Sequence, residues 1–365
     1  MDKQELKSTL KEYMSIVRLS GYEKNMAYRF KSDLLKYTDN VRTDRIGNVI
    51  ATFEGTDKHT PSIMVFAHMD TIGFIITSID DNGFIRLDRM GGVPEKVIQG
   101  IPVLVGNENG DCINGVLGAK AYHVQSPAEK ATVDPLASLF VDIGAKTRHE
   151  VHAQGIQVGC PVTYGNHFYE LLNDRITGTY TDDASGLTSL LHIASILGAA
   201  PHKATVHLVG TVWEEFNARG AMMAQRSAKA DMAICLLGPG AGDTPDQKGI
   251  NNVRLGEGVG VTLFNFHGKG TLNGCIAHAG MLALLKETAA EKNIPIQRSA
   301  ARGALSDTAY LQLEDMGIPC LDMGTPDRYS HSPMEVLDMN DLARTGELVA
   351  AFIRNLDASF ILDRY

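Results

Sequence analysis

The chain has 365 residues, of which 44% are hydrophobic and 21% are charged. This size and composition exclude a disordered chain or a single small module and predict a globular protein with two domains, or with one large domain and an insertion. The 34 Lys and Arg against 43 Asp and Glu give a net charge of −9, which repels phosphate groups and anionic lipids, so we expect no nucleic acid and no membrane as a partner.

The five cysteines are scattered and never spaced as C-x-x-C. They therefore offer neither a disulfide framework nor a thiolate metal site. The N-terminal stretch is too charged for the apolar core of a signal peptide, and no run of about 18 apolar residues is present. We expect a cytoplasmic protein.

Helix and strand patterns alternate at the start of the chain. Apolar spacing predicts helices over about 5–18 and 24–37, followed by strands over NVIATFEG and SIMVFAH. The second strand is apolar at nearly every position, which is typical of a strand that helices cover on both faces. It ends at His68.

From about residue 75 to 162 the pattern changes to short apolar runs separated by glycines and polar turns, which indicates hairpins. We interpret 75–162 as a small antiparallel β domain inserted within a larger domain formed by 1–74 and 163–365. After it, a helix from Ala184, the strand ATVHLVGTVW, a short helix near Ala218, the strand MAICLL and a last helix over about 342–356 restore the alternation. The predicted class is α/β, with a mixed central sheet flanked by helices.

Candidate metal ligands lie where predicted strands end, which is where open α/β sheets build their sites. His68 closes a buried strand, and the carboxylate of Asp70 can accept the second N–H of its imidazole, as happens with metal-bound histidines. A core histidine that is simply hydrogen-bonded is the alternative. Asp182 and Asp183 precede a predicted helix, where a single aspartate would serve as a cap. Two consecutive carboxylates leave one of them for a metal.

Glu214 and Glu215 follow the strand ATVHLVGTVW. On a near-extended backbone their side chains diverge, so that one can bind a metal while the other faces substrate. The same divergence argues against a glycosidase, whose two carboxyl groups face each other. His331 lies in the turn-rich segment RYSHSP, where an isolated histidine is ordinarily a surface residue. Together these nitrogen and oxygen ligands suit zinc, manganese or cobalt and indicate a metal hydrolase.

The motifs resemble those of the glutamyl aminopeptidase and TET aminopeptidase family of dinuclear metallopeptidases, a branch of the co-catalytic zinc exopeptidases. They are AHMDTIGF at 67–74, LFVDIGAKTRHEVHAQGIQVGCPV, TDDASG, WEEFNARGA, AGDTP at 241–245 and RYSHSP at 328–333. The resemblance implies an α/β catalytic domain interrupted by a β-barrel-like domain that takes part in oligomerisation, often into dodecameric shells. It also implies a short peptide as substrate.

By the same resemblance, His68 and His331 would each hold one metal and Asp182 would bridge both. Glu215 would bind the second metal, and Glu214 would be the general base. Each subunit would hold one or two divalent ions, with zinc favoured over cobalt or manganese.

Three positions depart from the family pattern. Thr71 stands where the family has a glutamate in AHMDEIGF, and Ala184 follows the aspartate pair where an arginine is common. Leu237 aligns with a ligating aspartate at the end of the strand before AGDTP. Because leucine cannot bind a metal, only His68 and Asp182 would remain for the first metal.

Two nearby aspartates are candidate replacements. Asp231 lies six residues back along the strand, which is roughly 20 Å away and out of reach. Asp243 lies in the following loop, where a changed path through Gly238-Pro239-Gly240 would bring it near. Without a replacement the first site is weak or empty, and the protein works with one metal or has lost peptidase activity.

The leading hypothesis is a metal-dependent aminopeptidase with an altered first metal site. A non-catalytic or regulatory homologue that keeps the shell-forming surfaces is the second hypothesis, and a hydrolase of another amide, such as an N-acyl amino acid, is the third. The presence of Glu214 favours an enzyme, because a chain without turnover has no need of a general base.

Overall fold

The computed structural model describes residues 1–267 and 274–364. Its first helix starts earlier than predicted because Asp2 caps it: the Asp2 carboxylate accepts the Glu5 N–H, and the Glu5 carboxylate accepts the Asp2 N–H. The helices of the described residues are α1 (Lys3–Ser15), α2 (Lys24–Leu34), α3 (Arg148–Ala153), α4 (Thr181–Leu197), α5 (Gly220–Ala228), α6 (Ala279–Lys292), α7 (Thr308–Leu311) and α8 (Met339–Asn355).

The strands form a large sheet, a barrel and a small sheet. In chain order they are β1 (Val41–Thr43), β2 (Val49–Phe53), β3 (Ile63–His68), β4 (Gly73–Ile79), β5 (Ile85–Met90), β6 (Pro102–Gly106), β7 (Cys112–Leu117), β8 (Val141–Asp142), β9 (Pro161–Tyr164), β10 (Phe168–Glu170), β11 (Arg175–Gly178), β12 (Val206–Thr211), β13 (Met232–Leu236), β14 (Val259–Phe266), β15 (Gly274–Ile276), β16 (Ile296–Arg302), β17 (Cys320–Gly324), β18 (Asp327–Arg328) and β19 (Glu335–Asp338).

The large sheet has the order β1-β2-β12-β3-β13-β17-β14-β15, and β16 also pairs with β14. Its centre, β12, β3, β13 and β17, is parallel, whereas β2 and β14 join it antiparallel. This confirms the prediction of a mixed central sheet in an α/β protein.

Strand β3 is buried at every position and is apolar up to its last residue, His68, because both of its faces are covered, as predicted. Ile63 and Val65 pack into the main core beneath α1, α2, α4 and α8. Met64 and Phe66 point to the opposite face, where they pack with α5 and α7. The two layers of helices leave only the ends of the parallel strands open to solvent.

The strands β4-β5-β8-β7-β6-β9 close into a barrel with its own apolar core. The barrel follows β3 after a short loop and returns the chain at Tyr164. The predicted boundaries at 75 and 162, and a role of this insertion in oligomerisation, stay predictions.

The small sheet, β10-β11-β19-β18, brings two distant segments together beside the large sheet. Strand β11 leads into the aspartate pair at the start of α4, and β18 and β19 flank the turn that carries His331. Among residues 1–267 and 274–364, no helix is both long and apolar enough to cross a membrane. All five cysteines are free thiols.

Helices α4 and α8 approach each other closely at Gly346. A Cβ atom added there would lie 2.6 Å from Cδ2 of His192, a buried residue of α4. We predict that Gly346→Ala destabilises the protein by about 1–3 kcal/mol, although alanine alone favours a helix by about 1 kcal/mol. Urea unfolding measures the effect. In a His192→Ala background the penalty should shrink, and a Gly346→Ala protein as stable as the wild type would contradict this packing.

Candidate metal centre

The parallel strands deliver the predicted ligands to one edge of the large sheet. His68 ends β3 and is paired in register with Thr211, the last residue of β12. The segment after β12 carries Glu214 and Glu215. Asp182 lies at the start of α4, and His331 lies in the turn between β18 and β19.

Asp182 lies between the two histidines. Its Oδ1 is 3.0 Å from Nε2 of His68, and its Oδ2 is 3.6 Å from Nε2 of His331. Nε2 of His331 is also 3.5 Å from Oε1 of Glu215. A carboxylate with one oxygen toward each histidine has the geometry of a ligand that two adjacent cations share.

The ligand atoms form two overlapping compact groups among the described residues. One consists of His68, Glu214 and Glu215, and the other of Asp182, Glu215 and His331; within each group the atoms lie within 4.8 Å of one another. Nitrogen and oxygen donors without thiolate fit zinc, manganese or cobalt. The structure therefore brings together all four predicted metal ligands and the predicted base.

The expectation of a near-extended backbone at Glu214 and Glu215 is wrong. These residues lie in a tight turn, and Trp213 before them adopts a left-handed conformation. The turn forms because the Asp70 carboxylate accepts both of their backbone N–H groups, Oδ1 from Glu214 and Oδ2 from Glu215, each at 3.0 Å. As a result both glutamate side chains approach His68 instead of diverging.

Asp70 also orients His68, but not through its carboxylate as expected. Nδ1–H of His68 donates to the backbone carbonyl of Asp70 at 3.0 Å, whereas the carboxylate Oδ1 lies 3.7 Å from Nδ1. The carboxylate is occupied by the two glutamate N–H groups and by the hydroxyl of Ser20 at 2.5 Å. Asp70 thus links the first histidine to the glutamate pair.

Arg18, which the sequence reasoning missed, is fully buried behind the site. Its guanidinium donates to the backbone carbonyls of Met69, Asp70 and Tyr180. It therefore joins the loop after β3 to the segment that precedes Asp182. The signal in the sequence is one arginine within the otherwise apolar SIVRLSG.

Glu335 is the second residue that the sequence reasoning missed. Its Oε2 accepts the hydroxyl of Thr181 at 2.9 Å and the N–H of Asp182 at 3.0 Å, and its Oε1 accepts the N–H of His331 at 2.7 Å. This buried carboxylate fixes the backbones of both ligands. The available signal is an acidic residue at the start of the apolar strand EVLDM.

The barrel also contacts the site. Nδ1–H of His331 donates to the carbonyl of Gly92, just after β5, at 3.0 Å. This bond leaves Nε2 as the atom that faces Asp182 and Glu215. A side chain at Gly91 would lie 3.2 Å from the Glu215 carboxylate, so glycine is needed for this approach.

Asp243 does not take the place of the missing ligand at Leu237. Its two oxygens are bound by Arg328, Oδ1 to Nε at 2.7 Å and Oδ2 to Nη2 at 2.6 Å. Asp231 bonds to the N–H and hydroxyl of Ser62, before the first residue of β3, and so lies far from the carboxyl ends of the strands. Leu237 itself lines a small cavity beside Asp182.

The site concentrates negative charge. Burial acts against a charged His68, but the hydrogen bond to Asp182 and the charge of Glu214 raise the pKa of His68 well above its usual value. Burial likewise raises the pKa of Asp182, but the bond to His68 and the charge of His331 outweigh it and lower that pKa. Burial and neighbouring carboxylates raise the pKa of Glu214 and of Glu215 well above normal. A divalent cation would complement this charge.

Comparison with known proteins shows the family of the chain. The model of the M42 glutamyl aminopeptidase family matches residues 47–348. The chain belongs to this family. The protein SgcX of Escherichia coli (strain K12) is 37% identical over 333 residues, which cover 91% of this chain and 89% of SgcX.

Two solved structures extend the family assignment to the fold. The aminopeptidase APDkam598 of the archaeon Desulfurococcus kamchatkensis is 30% identical and has a TM-score of 0.92 over 98% of this chain and 97% of its own. The TET1 peptidase of Pyrococcus horikoshii, which can assemble into a tetrahedron or a large octahedral shell, is 25% identical with a TM-score of 0.85 over 96% of this chain and 100% of its own. Peptidases of the M42 family are metal-dependent hydrolases. The predicted family, fold and hydrolase class are confirmed.

The raised pKa values of Glu214 and Glu215 predict proton release when metal binds. Burial and the neighbouring negative charges favour the protonated form of both carboxylates, whereas a bound cation requires their ionised form. We therefore expect the affinity for Co²⁺ or Mn²⁺ to rise with pH, by up to about tenfold per pH unit for each proton displaced. Calorimetric titration in buffers of different ionisation enthalpy counts these protons. Glu215→Gln should release fewer protons, and a heat of binding that is the same in every buffer would contradict the prediction.

Proposed function

We propose that this protein is a metal-dependent aminopeptidase that removes N-terminal residues from short peptides. The observation that supports it most is the position of Asp182 between His68 and His331, with Glu214 and Glu215 beside them. Membership of the M42 family agrees with this activity. We further propose that it acts in the cytoplasm.

His68 and Asp182 would hold the first metal, and Asp182, Glu215 and His331 the second. Zinc is the favoured ion, with cobalt or manganese as alternatives. When bound, such cations polarise the scissile carbonyl and make the attacking water more acidic. The substitution at Leu237 would leave the first site with a different ligand set from that of the family.

Glu214 would be the general base. It lies in the group with His68, and burial raises its pKa well above that of an ordinary glutamate, which makes its carboxylate a stronger base. Its carboxylate would take the proton of the water that attacks the carbonyl carbon. It would then give that proton to the amine nitrogen when the peptide C–N bond breaks.

We also propose that the protein is a homo-oligomer, with a dodecamer as one candidate. TET1 of P. horikoshii assembles into closed shells. The loop between β7 and β8 exposes apolar side chains, among them Tyr122 and Val124, each 66% exposed. Such side chains support an interface with another copy. Light scattering should therefore give a mass several times the 39.5 kDa of one chain, and a monomer would contradict this part of the proposal.

We predict that Glu214→Gln lowers peptide hydrolysis by about 10²–10⁴-fold while the protein still binds metal. Release of N-terminal residues from a peptide panel, measured with the metal-loaded protein, tests this. Glu54→Gln, at an exposed position, is the matched control and should keep full activity.

The same assay separates the alternatives. A metal-loaded wild type that is inert on free peptides but cleaves N-acyl amino acids would be a hydrolase of another amide. A protein inert on both substrate classes would be a non-catalytic homologue. Equal rates for the wild type and Glu214→Gln would remove the assigned base.

A further inference from the structure

A small cavity lies beside the position where the first metal lacks a carboxylate. Its walls include Asp182, Asp183, Leu237, Asp327 and Ser330. Its volume is about 20 Å³, which is enough for one ion or one water molecule. Leucine at position 237 offers this space no ligand, so any third protein ligand has to come from another wall.

Asp327 is held in one wall by its backbone. It is the first residue of β18 and pairs with Leu337 of β19. Its carbonyl also accepts the N–H of Ala241 at 2.6 Å. These bonds fix the backbone of Asp327 from two sides, so its carboxylate can change position only by rotation about the side-chain bonds.

The Asp327 carboxylate has an unused oxygen. Its Oδ2 is shielded from solvent and has no hydrogen-bond partner. The hydroxyl of Ser330, another residue of the cavity wall, donates to Oδ2 of Asp182 at 3.2 Å. A buried carboxylate oxygen without a partner costs about 1–3 kcal/mol or more, so its presence calls for a ligand.

Asp183 also has a free Oδ2 in this cavity, but its other oxygen has a structural task. Oδ1 accepts the N–H of Gly186 at 2.7 Å and the hydroxyl of Ser185 at 3.3 Å. Because Asp182 and Asp183 have non-helical backbone angles, these bonds cap the regular part of α4, which begins after Asp183. Turning this carboxylate toward a cation would uncap the helix. The Asp327 carboxylate caps no helix: its hydrogen-bond partners are the Ser330 side chain and the Asp327 backbone, and its Oδ2 has none.

We propose that Asp327 binds the first metal in place of the carboxylate that Leu237 lacks, so that His68, Asp182 and Asp327 form the first site. Asp327 lies outside the two compact groups of ligand atoms, so its carboxylate would have to turn toward Asp182 to bind an ion there. Three protein ligands leave an open position, as catalytic metal sites require. The inference rests on the metal-dependent function proposed above.

Counting bound ions tests the assignment. The full-length protein is saturated with Co²⁺ or Zn²⁺, dialysed, and analysed by mass spectrometry for metal per subunit, and each ion's affinity is measured by calorimetry. We expect two ions in the wild type and one in Asp327→Asn, with the affinity of the lost ion reduced by more than about 100-fold, beyond the effect of an outer partner. Asp231→Asn, at the opposite end of β13, is the control and should keep both ions.

A second variant distinguishes loss of a metal ligand from misfolding of the protein. Leu237→Asp combined with Asp327→Asn moves the carboxylate from one wall of the cavity to the other and conserves charge. We expect this double variant to bind two ions again. One ion in the wild type, two ions of unchanged affinity in Asp327→Asn, or loss of an ion in Asp183→Asn but not in Asp327→Asn would overturn the assignment.

The outcome is independent of turnover. A protein that binds two ions through Asp327 but cleaves no peptide would overturn the proposed function and leave the ligand assignment intact. An active peptidase with a single ion, or with a first site that does not depend on Asp327, would do the reverse. An anomalous-scattering map of metal-loaded crystals would show directly whether Asp327 contacts the ion.

Discussion

The carboxylate of Asp182, shared between two histidines from distant parts of the chain, is the contact on which the rest of the site depends. Its oxygens face His68 at 3.0 Å and His331 at 3.6 Å. It can hold that position only because its backbone is fixed by Glu335, which binds the backbone of His331 as well. Arg18 also stabilises the segment before Asp182, because its guanidinium donates to the carbonyl of Tyr180. The protein itself therefore positions the candidate ligands of the two compact groups.

The buried carboxylates divide into two kinds. Asp70 and Glu335 each accept two backbone N–H groups and so define the paths of the loops. Glu214 and Glu215 instead place their carboxylates within the groups that could hold a metal. The first kind is stabilised by the protein itself, whereas the second kind is held close together against electrostatic repulsion that a cation relieves.

The parts of this structure that follow from local hydrophobic patterns could be predicted from the sequence. The apolar run of β3 predicts a strand buried on both faces, and its end places His68 at the open edge of the sheet. Sequence patterns do not predict contacts between a side chain and a distant part of the backbone. The turn at Glu214 depends on Asp70, 144 residues away, and no periodicity encodes that bond. Glu335 and Arg18 are hidden for the same reason, because their partners are backbone atoms that every residue has.

The hydrogen bond from His331 to the carbonyl of Gly92 gives the barrel a share in the chemistry. The same barrel begins at Gly73, a few residues after His68, so both imidazoles are connected to it, one by a hydrogen bond and one by the chain. The barrel is therefore structurally coupled to the candidate metal centre. If neighbouring subunits contact the barrel, assembly and the basicity of these imidazoles become thermodynamically linked, so that a change in one alters the other by the same free energy.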